Sequence, residues 1–215
     1  MVILGIDPGL ANTGWGVVEC VNQRYRPVSF GVIRTDTAHS LPDRIYAIAQ
    51  KIGEIADRFS VECVSIEDIY FAQNVSSSIA VAKVIGACTH ELKGRGLDVQ
   101  YFSPMQIKMA ITGIGRADKN QVQQMVALLL KMDKVPRPDH AADALADCIT
   151  YAVMNQTKGR LGGILKWSTL STARSSRPMQ LLSCSMSPES SSPSRSAAAA
   201  PPTSPRRSAR ELSVC

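Results

Sequence analysis

The apolar run VILGID, from Val2 to Asp7, stops at Pro8-Gly9, which reads as a strand closed by a turn. TGWGVVECV follows from Thr13, and after Asn22-Gln23 comes YRPVSFGVIRT, ending near Thr35. Connections this short imply antiparallel neighbours. From Leu41 to Phe59 the apolar positions change to helical spacing through Ile45, Ile48, Ile52 and Ile55, before a new strand, VECVSIED, opens at Val61. A helix between two strands requires a crossover, so this fourth strand is expected to lie parallel within the same sheet.

A second helix is predicted from about Val75 to Leu92, leading past Gly94 and Gly96 to the strand DVQYF. The remainder reads as helical: SPMQIKMAI, a glycine-containing loop TGIGRAD, KNQVQQMVALLLKM, and PDHAADALADCITYAVM from Pro138 to Met154. Three meandering strands, helix, strand, helix, strand and then helices describe an α/β fold. Its five-stranded mixed sheet, flanked by helices, is of the ribonuclease H-like kind. Beyond about Arg160 apolar periodicity ends, and Ser, Pro, a four-alanine run and scattered arginines take over. Residues 1–157 are therefore expected to form the folded domain and 158–215 a basic Ser/Pro/Ala-rich tail without fixed structure.

Charge sharpens that division. Residues 1–155 hold 15 Lys and Arg against 16 Asp and Glu, a net of −1, whereas residues 156–215 hold 9 against 2, a net of +7; together they give the formal +6. The basic balance belongs to the tail, so nucleic-acid binding by the body calls for a local basic patch. The six cysteines show no C-x-x-C pair or finger spacing, which fits reduced thiols. No leader pattern or membrane-length apolar run is read, and the expected location is cytoplasmic, with no membrane partner.

Carboxylates now change the picture. At about 100° per residue His140, Asp143 and Asp147 share one side of the last helix, opposite Ala142, Leu145, Ile149 and Ala152. One reading is a solvated face, with Pro138 and the nearby aspartates favouring the helix start. The other is a face turned toward further carboxylates. Asp7 ends the first strand and Glu67 the fourth; if those strands are parallel neighbours, the two anions meet at one sheet edge. That is costly unless one is protonated or a cation lies between them. His140 and Asp143 across those strand ends complete a four-residue cluster suited to a hard divalent cation and to two-metal phosphodiester cleavage. Asp139 and Asp147 rank lower, the first pointing partly away and the second lying one turn deeper.

GIDPG with the following TGWGV, IED with Asn74 downstream, GIGRADKNQVQQMV and HAADALADCIT together resemble the RuvC family of crossover junction endodeoxyribonucleases, the Holliday junction resolvases. The resemblance runs from about Val2 to Thr157. It implies a ribonuclease H-like fold, a homodimer, and paired Mg²⁺-dependent nicks in two like-polarity strands of a four-way DNA junction, with Mn²⁺ as a substitute metal. It also implies a branch-migration complex as partner. The family's four acidic positions fall on Asp7, Glu67, His140 and Asp143. The third is Asp in many members and His in others. A neutral His140 can ligate metal or assist protonation of the leaving group, so activity is expected to fall as acid protonates the imidazole.

The resemblance places basic DNA-contact positions on Lys108, Arg116 and Lys119, in and around the TGIGRAD loop, where phosphate contact is the expected work. Asn120 and Gln121 either add polar contacts or start a helix. Tyr70 and Phe71 follow the Glu67 strand where a family aromatic reaches unstacked bases, a contact worth about 1–3 kcal/mol. Tyr70 is the expected exposed member. Where the family pattern has a Gly-Gln-Ala-Arg-Gly-like segment, this chain has Ala82-Lys83-Val84-Ile85-Gly86, and the apolar face from Ile79 to Ile85 serves either the core or a dimer interface. Two other activities remain open from sequence: junction binding without cleavage, and hydrolysis of RNA–DNA hybrid. An ATP-dependent kinase-like member of the related fold needs a second phosphate loop and a second domain, for which this body lacks room.

Overall fold

The computed structural model describes residues 1–69 and 75–164. Strands β1 (Val2–Asp7), β2 (Asn12–Val21), β3 (Arg24–Arg34), β4 (Cys63–Glu67) and β5 (Asp98–Phe102) form one sheet in the order β3-β2-β1-β4-β5. The first three pair antiparallel, and β4 pairs parallel with both β1 and β5. The mixed five-stranded α/β sheet read from the sequence is the observed one.

Helix α1 (Leu41–Arg58) provides the crossover from β3 to β4. It starts where Ser40 Oγ accepts the Asp43 N–H at 3.4 Å, with Pro42 in the first turn, an arrangement that satisfies one otherwise free amide. Helix α2 (Val75–Gly94) joins β4 to β5, and α3 (Pro104–Thr112), α4 (Lys119–Leu129) and α5 (Asp139–Ile164) follow. Reciprocal capping boxes, Ser103 with Gln106 and Asp118 with Gln121, fix the starts of α3 and α4. Gln121 is thus occupied as a cap: its Oε1 accepts the Asp118 N–H at 3.0 Å.

Side chains alternate across the strands and build two cores. Leu4, Ile6, Val17, Val64 and Ile66 pack with Ile48 and Ile52 of α1 and Val84 and Leu92 of α2. Ile3, Val18, Cys63 and Phe102 pack on the other face with Ile107 and Ile111 of α3, Val122 and Val126 of α4, and Leu145 and Ile149 of α5. Between Ile79 and Ile85 the apolar positions of α2 divide: Val84 is fully buried and Ile79 is exposed. The four described cysteines, Cys20, Cys63, Cys88 and Cys148, are buried and unbridged.

Two expectations about α5 change. From Ala141 to Ala152 every residue except Asp143 is buried, so the helix is enclosed on all sides and is not an amphipathic surface helix. Its other neighbours are α3 and α4, which cover the side turned away from the sheet. The helix also continues past Thr157 to Ile164. Tyr70, Phe71 and Asn74, and the tail from residue 165 onward, lie outside the described residues. Among the described residues no helix is long and apolar enough to cross a membrane.

Candidate active site

Glycines on the sheet determine how closely α5 approaches it. Gly5 of β1 pairs with Gly16 of β2, and Asp7 with Gly14. A Cβ at Gly5 would stand 1.9 Å from the Ala144 carbonyl oxygen, and one at Gly14 2.0 Å from that of His140. At Gly16 it would meet Leu145 at 2.9 Å. The three bare positions form a shallow track in which the α5 backbone lies against the strands. Cys148 reinforces the seat, its single S–H shared between the carbonyl oxygens of Gly16 at 3.3 Å and Ile3 at 3.5 Å. The first turn of α5 is thereby held over the end of β1.

Strand register brings the acidic pair to the same edge. Ile6 lies opposite Ile66 in the parallel β1–β4 ladder, so the next residues, Asp7 and Glu67, end adjacent strands on the α5 side. His140 Nδ1 stands 2.7 Å from Asp7 Oδ2. One ligand atom each from Asp7, His140 and Asp143 falls within 4.8 Å of the others, the only such group of three metal-ligating residues among the described residues. Glu67 is outside that tight triplet but feels the charges of both Asp7 and Asp143. The Asp7, Asp143 and His140 side chains are 17, 23 and 45% exposed, a gradient from the sheet edge outward.

The electrostatics describe a site short of positive charge. Burial and the carboxylates of Asp7 and Asp143 push Glu67 up to about 7. Burial also raises Asp7, opposed by the hydrogen bond and charge of His140, while Asp143 adds to the rise and Lys119 subtracts. The Lys119 ammonium supplies compensation, donating to Asp143 Oδ2 at 2.9 Å and lying 3.7 Å from Asp139. Partial burial depresses Lys119, yet its bond to Asp143 and the nearby carboxylates leave it raised. Carboxylate oxygens with one imidazole, converging where anions resist ionisation, form a donor set that fits a divalent cation.

Asp147, ranked lower from the sequence because it lies one turn deeper, is outside the triplet among the described residues. It lies one turn beyond Asp143, is fully buried, and neither carboxyl oxygen has a hydrogen-bond partner. Burial and the charges of Glu67, Asp7 and Asp143 hold its carboxyl well above the usual range. Four-residue spacing puts it on the same helical side as Asp143. No sequence signal distinguished it, because the covering layer comes from the separate helices α3 and α4.

Of the expected DNA contacts, Lys108 and Lys119 line a 240 Å³ hollow with Glu67 and Asp143, whereas exposed Arg116 does not line it. Lys119 is the first residue of α4, and the Asp118–Gln121 box orients that turn toward α5. The backbone between Glu67 and α2, which carries Tyr70 and Phe71, is outside the described residues.

Comparison with known proteins adds a sequence and a structural likeness. Residues 3–151 match the family described as crossover junction endodeoxyribonuclease RuvC. A protein of that name from Caldanaerobacter subterraneus is 39% identical over 162 residues, covering 75% of this chain and 98% of the relative. The Thermus thermophilus RuvC structure superposes with a TM-score of 0.70 at 32% identity, covering 74% of this chain and 97% of that one. The T. thermophilus RuvC structure in complex with Holliday junction substrate gives 0.70 at 33% identity, over 74% and 96%.

Proposed function

The chain belongs to the RuvC family of crossover junction endodeoxyribonucleases, and from that premise we propose that Asp7, Glu67, His140 and Asp143 are its catalytic, metal-holding residues. It is a structure-selective DNA endonuclease that resolves four-way junctions in recombination and repair. The observation that carries the residue assignment is the convergence of Asp7, His140 and Asp143 within 4.8 Å at the end of β1, beside Glu67.

Mg²⁺ is the proposed cofactor, two ions per site, with Mn²⁺ as a substitute. Held between these side chains, such cations would supply Lewis acidity for water activation and charge compensation at the leaving oxygen. The protein's own groups do the rest. Asp7, Glu67 and Asp143 would hold the cations, and the Asp7–His140 contact orients the imidazole, which would act as a ligand or as a proton donor to the leaving oxygen. Lys108 and Lys119, on the α3–α4 side, meet phosphate and place the strand, with Arg116 as a more distant contact. Tyr70 and Phe71 are assigned to unstacked bases at the crossover.

Two symmetric nicks need two such sites, while the described residues of one chain hold one triplet; the working unit is therefore a homodimer. A branch-migration complex, which supplies and moves the junction, is the proposed further partner, and the cytoplasm the proposed location. Competition among labelled substrates in Mg²⁺ tests the reading. The expected result is nicking of the four-way junction in strong preference to linear duplex and RNA–DNA hybrid. Preferential hybrid cleavage would transfer the chain to ribonuclease activity, and tight junction binding without nicks in either metal would leave a binding protein.

A further inference from the structure

The carboxylate edge of the sheet has further basic groups toward β3: Arg34 at the end of that strand, and Arg137, which shares the Asp139 carboxylate with Lys119. Because β2 and β3 run antiparallel to their neighbours, the start of β2 and the end of β3 fall at the same edge as Asp7: Asp7 pairs with Gly14, and Asn12 with Arg34. Read across the strand ends, the order is Arg34 on β3, Asn12 on β2, Asp7 on β1 and Glu67 on β4. Basic, neutral and then acidic groups therefore follow one another along a single line, with Lys108 and Lys119 beyond Glu67 and Asp143.

A hollow of 670 Å³ occupies the Arg34 end of that line. Asn12, Val32, Arg34, Arg137, Asp139 and His140 are among its lining residues. It therefore shares a wall, His140, with the catalytic cluster. Its floor is rigidly placed relative to that cluster, because the His140 backbone lies against Gly14. Arg34 is exposed and makes no ion pair among the described residues. Arg137, with its side chain 70% exposed, is tethered at the mouth by Asp139. An unpaired guanidinium, a second one beside it and an amide in one concavity suit a phosphodiester oxygen, which a planar fork of N–H donors binds with two hydrogen bonds.

We propose that this hollow is a second phosphate-binding subsite, in which Arg34 and Arg137 hold the junction strand on the His140 side of the scissile phosphate. The proposal rests on the endonuclease reading. Strands lie about 4.8 Å apart, so Arg34, two strands from Asp7 and two residues beyond the Asp7–Gly14–Val32 row, stands somewhat more than roughly 10 Å from it. The phosphate it meets is accordingly a near neighbour, on the same strand, of the one being cut. With Arg34 on the β3 side, Lys108 on the α3 side, and Arg137 and Lys119 either side of Asp139, cations line the carboxylates from β3 to α4. The carboxylates' repulsion of the DNA is thereby offset without requiring a basic body.

The test is the salt dependence of four-way junction binding by the full chain in Ca²⁺, where binding is read apart from cleavage, with nicking in Mg²⁺ measured in parallel. Each lost phosphate contact lowers the slope of log K against log salt by about 0.9. Arg34→Gln and Arg137→Gln are each expected to lower it by about that amount and to weaken binding several-fold at low salt. Arg34→Lys should restore most of the slope, and Arg24→Gln, at the far end of β3, should leave it unchanged. Equal slopes for wild type, Arg34→Gln and Arg137→Gln while wild type still nicks junctions would overturn the subsite and leave the endonuclease reading intact. An equal loss in Arg24→Gln would also overturn it, by reducing the effect to general surface charge. A wild type that binds junctions with these slope changes but nicks none would fail the nuclease reading alone, and one that binds no junction would overturn both.

Discussion

Burial raises the Glu67 and Asp147 carboxyls above the range in which such groups ordinarily release their protons. Glu67 is raised from its ordinary 4.5 to about 7, first by burial and then by Asp7 and Asp143. The folded chain consequently binds that proton more tightly than the unfolded chain does. The associated stabilisation is complete below pH 4.5 and is lost as pH rises through about 7, at most roughly 3 kcal/mol for a shift of this size. In EDTA, denaturant unfolding of Glu67→Gln is expected to vary less with pH between 4.5 and 7 than unfolding of wild type. Parallel curves for the two proteins would contradict this. The sign is the same for Asp147, whose carboxyl is held well above 3.8 with no partner for either oxygen. Asp147→Asn keeps the shape and loses no hydrogen bond, so its stability relative to wild type should increase as pH rises from 4 toward 8. A variant that instead becomes relatively less stable toward pH 8 would mean that an ionised Asp147 has a stabilising partner. Sequence supplied the identity of these acids but not their burial: Asp143 and Asp147 occupy the same helical face, and only the layer formed by α3 and α4 separates a site residue from an enclosed one.

At the scale of elements, the approach of α5 to the sheet is what turns separate acids into a site. Gly5 and Gly14 leave no room for a Cβ against the Ala144 and His140 carbonyls, and backbone atoms cannot move aside as a flexible side chain would. Gly14→Ala is expected to cost about 1–3 kcal/mol in denaturant unfolding, as overpacking does. It should lower junction nicking about 100-fold, since a displacement near 1 Å at the Asp7–His140 contact is enough for that. Near wild-type nicking by a folded Gly14→Ala would show that the close seat is dispensable. Strand and helix positions were largely legible because apolar periods of two and 3.6 differ so clearly; β1 and β5 were read to the residue, and the parallel β1–β4 pairing followed from the crossover. The glycine track was not read, although its signal was present as bare positions on adjoining strands. Apolar periodicity marks the last helix only to Met154 and ends at about Arg160, whereas α5 runs on to Ile164. A glycine pair costs a helix only about 1 kcal/mol per residue, so Gly162-Gly163 does not end the helix before Ile164.

Charge separates two parts of the whole molecule. The family match ends at residue 151, and after residue 164 the chain carries seven Lys and Arg against two Glu. A chain ending at Ile164 is therefore expected to unfold at the same denaturant concentration as the full chain and to nick junctions at a similar rate. Its affinity for linear duplex should be weaker and less salt-dependent, because the removed cations act without sequence or structure preference. Loss of nicking on truncation would move essential contacts into the tail. On the proposed reading, the body, with its nearly balanced charge, binds DNA through the basic groups placed around the carboxylates.

The most direct measurement maps strand breaks in a synthetic four-way junction by wild type and by Asp7→Asn, in Mg²⁺ and in Mn²⁺, at protein concentrations that saturate binding. The account predicts paired, symmetric nicks in two like-polarity strands by wild type, and none by Asp7→Asn despite retained junction binding. Asymmetric or junction-independent cuts, or undiminished nicking by Asp7→Asn, would contradict the claim that the cluster at the end of β1 is the centre that resolves the junction.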